Sequence, residues 1–237
     1  MLLFYVRHGE PTYNPDQLTY LGHKQAEAVS KRLTMYGIDK IYSSPSVRAK
    51  ETAEPTAKLL RKEIIEVPFA HENLMRRDFT YKDDSGEFWV FQSPTGKKLL
   101  SKPEVLALGD KWHTHEYFKD HRYTSGTERL DRDTDEFLLS LGYKHIRGTG
   151  VYEVVNDNPD RVALFAHHGF GMGFLSSMLD LPFPLFSIHF NMDFTGVTVV
   201  EFKNENGICY PRVLTLSDDG HLYREGLMLG HNKEVRF

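Results

Sequence analysis

Apolar positions along this chain follow the rhythm of strand, helix, strand. Leu2 to Val6 is an unbroken apolar run, the pattern of a strand covered on both faces. Glu10 to Asp16 is rich in turn residues and reads as a loop. Leu21, Ala28, Val29 and Leu33 then form one stripe of a helix over about Tyr20–Tyr36, with Thr19 as N-cap and Gly37 as the stop. A short strand over Asp39–Tyr42, a second helix to about Leu60 and a third strand over Ile64–Val67 complete a β-α-β-α-β series with short links. Such a series predicts a parallel sheet with right-handed crossovers.

Between residues 68 and 126 this rhythm is lost, and the segment reads as an insertion capping the open end of the sheet, within a single domain spanning 1–237. A helix is expected over Glu128–Leu141, a buried strand over Arg161–Ala166 and a helix over Gly171–Leu179. Thr195–Phe202 and Ile208–Thr215 read as a hairpin through Asn204–Gly207, and the last twenty residues as a loosely ordered tail. The fold class that follows is three-layer α/β/α with a mainly parallel central sheet and an inserted cap region.

Composition narrows the function. A net charge of −4 argues against nucleic acid or an anionic membrane as a partner. No apolar run approaches membrane length, and the single Cys209 forbids an intrachain disulfide and thiolate metal clusters, so a cytoplasmic protein is expected. His113, His115 and His121 lack the spacing of a helical zinc site and read as a solvated face. Neither a metal nor another cofactor is expected.

The chemistry concentrates at strand ends. Arg7 and His8 follow the first strand, Arg48 lies one helical turn past the second, and His167 and His168 follow Arg161–Ala166. In an open α/β sheet those ends share one edge, so the five residues can converge there. Guanidinium forks match phosphate oxygens, and a neutral imidazole beside a phosphoryl group is a competent nucleophile.

Three blocks carry a family resemblance. Arg7-His-Gly-Glu10 with Leu18-Thr19, Gly22 and Gln25-Ala26 is the first; Ser43-Ser-Pro45 with Arg48-Ala49 and Thr52-Ala53 is the second; His168-Gly169 is the third. Together they resemble the histidine phosphatase superfamily, the phosphoglycerate-mutase-like proteins. The resemblance implies a metal-independent mechanism in which His8 attacks phosphorus while Arg7, Arg48 and His168 hold the phosphoryl oxygens, with Asn14 close by. His168 is chosen over His167 because it directly precedes Gly169.

Two departures accompany the match. The loop from Asn14 to Leu18 is shorter than in the phosphoglycerate mutases, and Leu74-Met-Arg76 puts an arginine where the family's Leu-x-Glu places its proton donor. Asp78 and Glu72 are the candidate replacements, with Glu128 a more distant third. Arg76 and Arg77 read equally as a solvated pair or as a site for a second anionic group on the substrate. The expected activity is a phosphatase acting on a small phosphorylated metabolite through phosphorylated His8. The alternatives are a phosphoglycerate-type mutase, or a phosphate- or phosphoprotein-binding module without turnover.

Overall fold

The computed structural model describes residues 1–83, 86–119 and 121–228. At its centre is a six-stranded sheet. Strands β1 (Leu2–Arg7), β2 (Lys40–Ser43), β3 (Ile64–Glu66) and β4 (Arg161–Ala166) are parallel neighbours, while β5 (Val197–Glu201) and β6 (Arg212–Asp218) extend the β1 edge antiparallel. The order is β6-β5-β1-β4-β2-β3. β1 is central, its edges paired with β4 and β5 and its two faces each packed in a core. Leu3 and Tyr5 enter one core, Phe4 and Val6 the other, which is why the run does not alternate.

Helices α1 (Tyr20–Tyr36) and α2 (Val47–Leu60) cover the Phe4 face through Val29, Leu33, Ala53 and Ala57. Helices α3 (Glu72–Phe79), α4 (Tyr123–Ser140) and α5 (His168–Leu179) cover the Tyr5 face through Met75, Phe79, Leu130, Phe137, Phe170 and Phe174. The result is the expected three-layer α/β/α arrangement. Among the described residues no helix is long and apolar enough to cross a membrane.

The α1 limits follow the sequence signals: Thr19 accepts from the Gly22 N–H at 3.0 Å, and Gly37 closes the helix at φ 73°. Gly22 has a second role. A Cβ there would lie 2.1 Å from the Glu10 carbonyl oxygen, so only glycine lets α1 press against the loop after His8. Gly22→Ala therefore sets a helix-propensity gain of about 1 kcal/mol against an overpacking cost of about 1–3 kcal/mol. We expect the cost to win and the melting temperature to fall by several degrees, which a thermal melt followed by circular dichroism measures; an unchanged or raised value would contradict this account.

Three sequence expectations change. The 208–215 segment is not one strand: Ile208–Cys209 pairs with Val151–Val154 in a separate three-stranded sheet, and β6 starts only at Arg212. Pro211 between them has no N–H for a ladder. Within the region read as a tail, Gly220–Arg224 forms a short helix tied to α1 by the Lys31–Glu225 and Arg32–Asp218 ion pairs; residues 229–237 lie outside the described residues. Helix α4 begins at Tyr123, before the expected Glu128.

The 68–126 segment contributes α3, a hairpin of Thr80–Asp83 with Gly86–Trp89, and the short helices Pro94–Leu100 and Pro103–Leu106. Trp112 packs against Phe118, Tyr123 and Phe183, and Val90, Leu100 and Val105 join the same core as Tyr5.

Candidate active site

The C-terminal ends of β1, β2 and β4 open into one cavity of about 540 Å³, walled by Arg7, His8, Arg48, Glu72, Arg76 and His168 and by residues of the Pro11–Leu18 and 71–92 segments. Its floor is set by backbone geometry. His8 N–H donates to Ala166 O at 2.9 Å, continuing the β1–β4 ladder one residue past the strand, and Thr195 N–H donates to Arg7 O at 3.0 Å. The Arg7–His8 turn is thus clamped from both sides.

His8 is buried, and its Nδ1 lies 2.7 Å from the carbonyl oxygen of Gly9. A carbonyl can only accept, so Nδ1 carries the proton and Nε2 keeps its lone pair. Burial, then the charge of Arg7, holds the imidazole well below the ordinary histidine range. It is neutral at physiological pH.

The cations are positioned as firmly. Arg7 donates to Met192 O and stacks over the Phe194 ring at 4.0 Å. Arg48 donates to Asp16 at 2.7 Å and approaches His167 Nδ1 at 3.1 Å, while the Asp16 carboxylate also accepts from the Val47 N–H at 3.0 Å. Both arginines keep a buried Nε–H with no acceptor among the described residues. His167 is fully buried behind Arg48: its Nε2 meets Ser44 Oγ at 2.7 Å, so with Nδ1 accepting from Arg48 it works as a wedge that orients the guanidinium. His168 lines the cavity, directs Nδ1 to Met192 O at 3.3 Å and stacks on Phe91; burial and Arg7 bring its pKa down to about 4.

The candidate acids separate cleanly. Glu72 lines the cavity, and its two oxygens accept the Gly169 and Phe170 N–H groups at 2.9 Å each, capping α5 from a distant part of the chain. This cap is why α5 starts at His168, three residues before the expected Gly171. It also means that these helix N-terminal donors are already spent on a carboxylate. Desolvation raises the Glu72 pKa; the two N–H groups and the charges of Arg48 and Arg7 offset this only in part.

Asp78 is elsewhere. It is buried under α4, where Arg77 grips both oxygens at 2.6 and 2.8 Å and Arg129 adds a bond at 3.0 Å. Burial opposes its charge, but these arginine bonds outweigh it and hold the pKa below the usual carboxylate range. Asp78 stays ionised and has no proton to give. Glu128 is exposed and outside the cavity wall.

Asn14 also falls outside the cavity wall. The Tyr13–Asp16 pairing makes Asn14-Pro15 the tip of a tight hairpin, exposed to solvent, and the neighbours Tyr13 and Asp16 face the cavity in its place. Sequence reading missed Tyr13, Asp16, His71, Asn73, Gln92 and Asn191; of these only Asp16, an acidic residue in the loop after His8, carried any signal. The aromatics of the 68–126 segment divide: Trp89 reaches the cavity, Phe91 and Trp112 are buried in the core, and Phe88 is exposed. Among the described residues no group of three His, Cys, Asp or Glu side chains is placed to hold a metal ion.

Residues 3–78 match the family model described as histidine phosphatase superfamily (branch 1). No curated protein matches the chain in sequence. Solved structures match over nearly the whole length. A mutant phosphoserine phosphatase from Entamoeba histolytica in complex with phosphoserine aligns at TM-score 0.61 and 19% identity, covering 93% of this chain and 98% of that one. The mycobacterial glucosyl-3-phosphoglycerate phosphatase in complex with VO3 aligns at TM-score 0.57 and 18% identity, covering 91% and 98%. A putative alpha-ribazole-5'-P phosphatase from Escherichia coli aligns at TM-score 0.56 and 16% identity, covering 92% and 98%. The N-terminal third of the chain thus matches the histidine phosphatase superfamily in sequence, and the chain as a whole shares the fold of these solved structures.

Proposed function

We propose that this protein is a phosphatase that hydrolyses a small phosphomonoester through a phosphohistidine on His8. The observation that carries the proposal is the His8 geometry. A neutral imidazole has its Nδ1–H fixed on Gly9 O, leaving the Nε2 lone pair available, and Arg7, Arg48 and His168 line the same cavity.

In the first step Nε2 attacks phosphorus and the ester P–O bond breaks. Arg7 and Arg48 keep guanidinium N–H groups for the equatorial oxygens, where negative charge accumulates. The departing oxygen takes a proton from Glu72, the one cavity carboxylate whose pKa is raised. The dianion held by Arg7 and Arg48 pushes that pKa further up, so substrate binding itself favours the acid form. In the second step Glu72, now a carboxylate, accepts a proton from water as its oxygen attacks the phosphohistidine. This releases inorganic phosphate and restores His8.

The test is phosphate release from a panel of small phosphomonoesters with a metal chelator present. Release that survives chelation is expected; failure to release phosphate from any member would overturn the proposal.

A further inference from the structure

Arg76 occupies the position that the resemblance gives to the proton donor, and a guanidinium cannot supply a proton at any physiological pH. It nevertheless lines the cavity. The two adjacent arginines have parted company: Arg77 is bound to Asp78, whereas Arg76 is exposed and has no ion-pair partner among the described residues. Glu87 shares a small adjoining cleft with Arg76, yet no ion pair joins them.

The charges of the cavity are unbalanced in a specific place. Its wall holds three guanidinium groups (Arg7, Arg48, Arg76) and two carboxylates (Asp16, Glu72). Asp16 is matched by Arg48, and Glu72 by the α5 N–H groups. The phosphoryl group at His8 takes up the free capacity of Arg7 and Arg48. Arg76 is then left over, a fixed positive charge on the α3 wall. Gln92 stands beside it in both clefts with no side-chain partner among the described residues.

We infer that Arg76, supported by Gln92, binds a second anionic group of the substrate, so that the preferred substrates are phosphomonoesters that also carry a carboxylate or another phosphate. This rests on the phosphatase reading above. A second anion would neutralise Arg76 and convert an exposed rim charge into a bidentate contact. An uncharged tail would leave it as it is. The selectivity should therefore appear as a lower KM for doubly anionic substrates.

The experiment compares alkyl phosphates of two to four carbons that end in methyl, carboxylate or phosphate. Wild type is expected to favour an anionic end over methyl by roughly ten- to a hundred-fold in kcat/KM, the range of a hydrogen bond to a charged group. The chain length of the best substrate reports the span from His8 to Arg76, and the better end group tells carboxylate from phosphate. Arg76→Ala should bring the ratio close to one. Arg77→Ala, which removes the same charge next door, should keep the wild-type ratio. Turnover with a ratio near one in wild type, a ratio retained in Arg76→Ala, or an equal loss in Arg77→Ala would overturn the inference and leave the phosphatase reading intact. No turnover of any member would overturn both.

Discussion

Replacing His8 by alanine is expected to reduce kcat/KM on the order of 10⁴-fold or more, the scale seen when a covalent nucleophile is removed. The other histidines of the site are engaged: His71, also on the cavity wall, uses Nδ1 to accept the Asn73 N–H at 3.1 Å. His167 has both ring nitrogens engaged, with Ser44 and Arg48, and lies fully buried behind the guanidinium. His168 directs Nδ1 to Met192 O and, in the proposed mechanism, holds the phosphoryl oxygens. Quenching a turnover of labelled substrate in alkaline detergent would separate the chemistry from a folding defect. Wild type should retain an alkali-stable, acid-labile phosphoenzyme, and the His8→Ala protein, with an unchanged circular dichroism spectrum, should retain none. A variant keeping a tenth of the wild-type rate would remove His8 from the role of nucleophile.

Glu72→Gln should cost about 10²- to 10⁴-fold in kcat on alkyl phosphates, the usual contribution of a general acid. The loss on p-nitrophenyl phosphate should be far smaller, because that leaving group departs without a proton. Glutamine keeps a carbonyl oxygen for one of the Gly169 and Phe170 N–H groups, so α5 retains part of its cap. The pH profile adds a second reading. The pKa of Glu72 is raised above its ordinary value, and a donor must be protonated, so activity on alkyl phosphates should fall as pH rises through that elevated value. His8 must be neutral, and burial and Arg7 hold its pKa well below the ordinary histidine value, so the acid limb falls below that value. Activity is therefore bounded on the acid side by protonation of His8 and on the alkaline side by ionisation of Glu72, and Glu72→Gln should flatten the alkaline limb. Equal losses on both substrates would mean that Glu72 acts only by capping α5.

These two residues differ in how far the sequence announced them. His8 was legible because its surroundings are local: an apolar run, a basic dipeptide and a glycine specify a strand, its end and a turn within nine residues. The same holds for α1, whose cap at Thr19 and stop at Gly37 are contained in the helix it limits. Local signals fail where the partner is remote. The start of α5 was misplaced because its cap comes from Glu72, 97 residues away in the chain. The residues of 208–215 suit a single strand, while their division between two sheets depends on which edges are open.

The parallel α/β frame, the convergence of Arg7, His8, Arg48 and His168 on one sheet edge, and the arginine at position 76 are all legible in the amino-acid order. The choice between the carboxylates, and between the paired arginines, is made by folding. Asp78 and Glu72 are both acids near the start of the insertion, six residues apart, and nothing in their neighbours ranks them. Packing does: one is closed under α4 by Arg77 and Arg129 and kept ionised, while the other is carried to the cavity and partly desolvated. A charge's role depends on the dielectric and the counter-charges around it, and those are assembled from segments that the chain brings together only on folding.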